Sequence, residues 1–133
     1  MVNYLLDTCV MISLFKGKSG IQERIWEFGF DRIHTSEFVI AELLVGAYKS
    51  GIPDEMKHIR FAKDYFHVLP VTSEIFDRYA FLRASLERSG ARLDSIDLLI
   101  AATALENDLI LVTGNTRHFA RIPDLKMENW IVP

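Results

Sequence analysis

The chain has 133 residues, half of them hydrophobic, and a formal net charge of −3. That length fits one compact domain spanning residues 1–133, with ample apolar material for a core, and it argues against global disorder. The acidic balance argues against a simple electrostatic nucleic-acid binder, and the lone cysteine, Cys9, excludes an internal disulfide or a cysteine zinc site.

A single thiol fits a reducing cytoplasm. The N-terminus has no basic leader ahead of a long apolar run, so no signal peptide is expected. The apolar runs, such as residues 38–45 broken by Glu42, are too short to span a membrane.

Val2–Leu6 predicts a buried first strand, followed directly by Asp7 and a helix over Thr8–Phe15. Ile21–Phe28 carries a second helical pattern, and Arg32–His34 a short strand. Thr35 or Ser36 caps a helix running to about Tyr48 before Gly51. Pro53 opens another helix to about Asp64. Phe66–Leu69 is strand-like and ends at Pro70. Ser73 begins a long helix that stops before Gly90. Asp94 or Ser95 caps a helix over Ile96–Glu106. Leu109–Val112 is a buried strand, Asn115–Phe119 a helical turn, and Lys126–Trp130 a last short strand. Short apolar strands alternating with helices predict an α/β fold with a mainly parallel sheet covered on both faces. Ligands in such folds sit beyond the carboxyl ends of the strands, where Asp7, Thr113 and Asn115 fall.

Three acids stand out. Asp7 follows a buried strand; helix capping is its ordinary alternative role. Glu42 lies in the apolar helix FVIAELLV, where a face lined by Phe38, Ala41 and Val45 makes an unpaired charge costly, and pairing with an arginine or reaching water is the alternative. Asp97 opens DLLIAATAL, three residues after Asp94. The pair resembles a capping box, which accounts for one acid but hardly for both. The run Ala101, Ala102, Ala104 predicts close packing of this helix on the sheet. Thr113 and Asn115 close the Leu109–Val112 strand, where a Gly-containing turn is the plain explanation and orientation of a water or phosphate the functional one. Hard oxygen donors favour Mg²⁺ or Mn²⁺ over zinc. A divalent ion relieves the repulsion of clustered carboxylates and can activate water for phosphodiester hydrolysis without a protein nucleophile. A phosphatase of the haloacid-dehalogenase type also begins with a strand ending in Asp, but it needs a second Asp two residues on, where Cys9 stands.

The segments YLLDTCVMISLFKG, TSEFVIAELLVGA and DLLIAATALENDLILVTGNTRHFARIPDLKMENW cover roughly half of the chain. Together they resemble PIN-domain nucleases, most closely the VapC-type toxins of toxin–antitoxin pairs. The resemblance implies a three-layer α/β sandwich with a central parallel sheet and Mg²⁺- or Mn²⁺-dependent cleavage of single-stranded RNA to 5′-phosphate and 3′-hydroxyl ends. It carries Asp7, Glu42 and Asp97 onto the catalytic and metal-binding acids, with Asp94 at an occasional extra acid. A fourth acid is frequent where this chain has His118. Arg117 and Arg121, beside the last motif, are candidate RNA contacts; ordinary solvated surface is their alternative. The resemblance also implies a small antitoxin whose C-terminal segment lies in a groove near the site, and a homodimer. The aromatic excess over Phe28, Phe30, Phe61, Tyr65, Phe66, Phe76, Tyr79 and Phe81 leaves surplus for a groove or a dimer face beside the core. A non-catalytic PIN-like module that binds RNA or protein is the alternative function.

Overall fold

A computed structural model describes residues 1–132. Five strands form one all-parallel sheet: β1 (Tyr4–Leu6), β2 (Ile33–Ser36), β3 (His67–Leu69), β4 (Ile110–Val112) and β5 (Met127–Glu128), in the order β3-β2-β1-β4-β5. Between them run α1 (Thr8–Phe15), α2 (Ile21–Phe28), α3 (Glu37–Ser50), α4 (Pro53–Tyr65), α5 (Ser73–Arg88), α6 (Ser95–Glu106) and the short α7 (Thr116–Phe119). Leu5 and Leu6 are both fully buried, as are Leu111 and Val112. Successive strand residues face opposite sides, so helices must cover both faces of the sheet. This is the three-layer α/β sandwich expected from the sequence.

The helices lie close to their expected bounds because strong local signals set them. Asp7, Ser36, Thr72 and Asp94 each accept a backbone N–H at a helix start. Ser36, rather than Thr35, caps α3; the Thr35 hydroxyl instead donates to the Leu6 carbonyl across the sheet. The strands differ more. Only Tyr4–Leu6 of the expected Val2–Leu6 strand, and only Met127–Glu128 of Lys126–Trp130, find ladder partners. The expected strand at Arg32–His34 begins one residue later, because Phe30–Arg32 forms a 3₁₀ turn, and it runs on to Ser36.

Helix α6 is buried on every side over Leu98–Ala104. Its alanines let it sit tightly between sheet and neighbouring helices, as their small size predicts. This packing fixes the start of α6, and therefore Asp97, against the sheet edge. The chain leaves β1 towards β2 and β3, then returns to β4 on the other side of β1. The crevice beyond the ends of β1 and β4 is thus a topological switch point, where open α/β sheets place their ligands. Among the described residues no helix is long and apolar enough to cross a membrane.

Candidate active site

Asp7 emerges from β1 into this switch point and is 4% exposed. Its backbone N–H donates to the Val112 carbonyl at 2.9 Å, tying it to β4. One carboxylate oxygen accepts the Thr8 N–H at 2.8 Å, so the expected capping role is real. The other accepts the Thr113 hydroxyl at 2.8 Å, 106 positions away in sequence. Each oxygen keeps a lone pair, so capping and ligation are compatible. Cys9 Sγ lies 3.9 Å from the Thr113 hydroxyl and accepts the Gly114 N–H at 3.3 Å, closing the crevice wall.

Glu42 is half-buried, and its Oε1 accepts the Thr8 hydroxyl at 2.6 Å. The expectation of a charge walled in by Phe38, Ala41 and Val45 is corrected, since Ala41 and Val45 are exposed. A neutral donor on α1 holds Glu42 towards the crevice. Asp94 caps α6 by accepting the Ile96 N–H at 3.1 Å, which leaves Asp97, one turn on, as the acid of the pair without a capping bond. Asp97 Oδ2 is 3.2 Å from His118 Nε2. The histidine at the frequent fourth-acid position is therefore a partner of an acid.

The acids share one electrostatic field. Burial pushes the Asp7 carboxyl above its usual 3.8, against the pull of the Thr8 and Thr113 hydrogen bonds. Burial also raises Asp97, and the charges of Asp7, Asp94 and Glu42 raise it further while His118 opposes them. Among the described residues no three His, Cys, Asp or Glu side chains are drawn into a ready-made metal cage. The donor set still fits a hydrated hard cation. Mg²⁺ keeps several waters and takes only one or two carboxylates directly, and the mutual repulsion at Asp97 is what such a charge relieves.

The raised pKa values fix a sign for stability. A carboxyl with a folded pKa above its unfolded one costs nothing while protonated in both states. The cost grows as pH rises from the unfolded value towards the folded one. Asp97→Asn removes it. In chelator, the melting temperature of Asp97→Asn minus that of wild type should increase as pH rises from about 4 towards neutrality. Thermal melts across that range check it, and a constant difference would contradict it.

Of the other expected residues, the Thr113 hydroxyl is fully buried against Asp7. The Asn115 side chain is not brought to the acids. It is exposed; only its backbone N–H reaches the site, donating to Thr113 Oγ1 at 3.1 Å, because α7 starts there and turns the side chain outward. Arg117 and Arg121 are exposed in a cleft beside His118. Sequence reasoning missed Thr8, whose place directly after Asp7 was its only signal, and Arg92, which lines the same cleft from the loop before α6.

The model of the PIN domain matches residues 4–125. The chain belongs to the PIN-domain family. Over 129 residues this PIN domain is 33% identical to a ribonuclease VapC of Rickettsia bellii, covering 92% of each chain. Over 131 residues it is 30% identical to the tRNA(fMet)-specific endonuclease VapC of Shigella flexneri, covering 98% of this chain and 99% of that one. Its fold is similar to the crystal structure of VapBC2 from Rickettsia felis bound to a promoter DNA fragment. The TM-score is 0.88 and the identity 28%, covering 98% of this chain and 99% of that one.

Proposed function

We propose that this PIN domain is a metal-dependent endoribonuclease acting in the cytoplasm as the toxin of a toxin–antitoxin pair, with Asp7, Glu42 and Asp97 as its acids. The observation that carries the reading is the field they share at the switch point, where Asp97 holds its proton more tightly first through burial and then through the charges of Asp7, Asp94 and Glu42. The names of its VapC relatives support the ribonuclease activity.

A bound Mg²⁺ or Mn²⁺ would supply Lewis-acid stabilisation at the scissile phosphate and a lowered pKa for the attacking water. The protein's own part is positioning. Thr113 and the Thr8 amide fix the Asp7 carboxylate from two sides. The Thr8 hydroxyl fixes Glu42. His118 orients Asp97 from the solvent side. Asp94 caps α6 through one carboxylate oxygen and adds charge beside Asp97, its other oxygen still open to a ligand.

The antitoxin reading has its own structural support. An apolar groove of about 480 Å³ lies among Phe15, Trp26, Phe30, Phe61 and Tyr65. Through Phe15 and His58 it joins a second depression of about 420 Å³ that reaches Glu42. A partner segment lying in this path would bring a basic side chain to the acids. Of the remaining aromatics, Phe28 packs on Tyr4 and Trp130, whereas Phe81 is 67% exposed on α5 and offers apolar surface to a second copy.

The decisive test is cleavage of single-stranded RNA with Mg²⁺, with Mn²⁺ and in chelator. Turnover that requires either metal is expected. RNA binding without turnover under all three conditions would instead identify a non-catalytic binding module.

A further inference from the structure

Arg92, Arg117 and Arg121 converge on one cleft of about 670 Å³, together with Asn115, Thr116 and His118. Among the described residues no carboxylate lines it. Among the described residues none of these three guanidiniums forms an ion pair. Three unpaired arginines side by side repel one another, and in a chain of net charge −3 acidic partners are plentiful. The planar donor forks of such a grouping match an anion that accepts paired N–H bonds, a phosphate foremost.

The fold holds the arginines there from two separate stretches. Arg117 and Arg121 come from α7 and the turn after it, anchored by the buried Phe119 and Ile122. Arg92 comes from the loop between α5 and α6, where its neighbours Ala91 and Leu93 are buried. Arg83 fixes that loop by donating to the Leu93 carbonyl at 2.9 Å and to the Ser95 hydroxyl at 3.2 Å.

Two links join the cleft to the acids. His118 lines the cleft and sits 3.2 Å from Asp97. Asn115 lines it too, and its N–H reaches the Thr113 hydroxyl that binds Asp7. A polymer lying in the cleft therefore continues onto the catalytic acids. The wall is polar throughout, unlike the aromatic groove around Trp26 and Phe61, so it suits a nucleic-acid backbone rather than a protein segment.

We propose that this cleft is a phosphate subsite that grips the backbone of single-stranded RNA beside the scissile phosphodiester, with Arg92 as its third arm. The proposal rests on the ribonuclease reading above. The test is fluorescence anisotropy of a short labelled oligouridylate in chelator, where nothing is cut. It compares wild type with Arg92→Gln, Arg117→Gln, Arg121→Gln and the remote, exposed Arg60→Gln. Each cleft variant should weaken binding about 3- to 10-fold and flatten the slope of log K against log salt by about 0.7, with Arg60→Gln unchanged. With metal added, KM for cleavage should rise by the same factor at nearly constant kcat. Cleft variants with wild-type affinity and salt slope would overturn the proposal, as would tighter binding of polyglutamate than of the oligouridylate. RNA held by the arginines but never cut would leave the subsite standing and remove the nuclease reading. RNA cut normally by all three variants, at unchanged KM, would do the reverse.

Discussion

Asp7→Asn is expected to lower metal-dependent RNA cleavage by at least about 10³-fold without lowering the melting temperature measured in chelator. The two halves of this expectation have one cause. Asp7 sits where burial disfavours its charge, and the Thr8 and Thr113 hydrogen bonds only partly offset that cost. An amide fills the same space; the Thr113 hydroxyl can turn to accept from its NH₂ group, while its carbonyl still accepts the Thr8 N–H. Folding therefore loses little, and the desolvated charge disappears. Function loses the one acid fixed from both sides by the strand ends. Single-turnover cleavage and thermal melts on one preparation check both halves. Wild-type cleavage, or a collapse in melting temperature, would contradict them.

Trp130→Ala is expected to cost about 3–5 kcal/mol. Trp130 is 1% exposed. It packs edge-on against Tyr4 of β1 at 5.0 Å and against Phe28 of α2 at 5.7 Å. Arg24 covers its ring at 4.9 Å, and its indole N–H donates to Glu128 at 2.9 Å. One side chain near the C-terminal end thus joins the first strand, the second helix and the edge strand β5. Truncation leaves a cavity that these rigid rings cannot fill and an acceptor on Glu128 without its donor. Urea unfolding measures the loss, and a cost below about 1 kcal/mol would contradict this account of the packing.

Helix starts were legible in the sequence because their signals are local. Asp7, Ser36 and Asp94 each precede an apolar-periodic run and bond to N–H groups one to three residues on. Strand ends were not, because they are set by register with partners distant in the chain. Val2 is apolar enough for β1, yet the ladder begins at Tyr4, opposite Ile33 and Ile110.

The site divides the same way. Asp7, Glu42 and Asp97 could be picked out as acids in apolar settings or at element ends. What holds them could not. The Thr8 bond to Glu42 spans 34 positions, and the Thr113 bond to Asp7 spans 106. Neither leaves a trace in periodicity. The exposed Ala41 and Val45 show the converse error, since two of the three apolar residues expected to wall in Glu42 face solvent. His118 is legible only as a departure from the usual acid; its contact with Asp97 depends on how α7 turns beside α6. Arg92 lay in a loop without pattern, and only the fold brings it to Arg117 and Arg121.

Asp7, Glu42 and Asp97, far apart in the chain, are proposed to hold a divalent cation together. The most direct measurement is electron paramagnetic resonance of free Mn²⁺ during titration at neutral pH, for wild type, Asp7→Asn and Asp97→Asn. The predicted result is loss of free-ion signal with wild type and a much weaker loss with either variant. Equal Mn²⁺ uptake by all three proteins would contradict it.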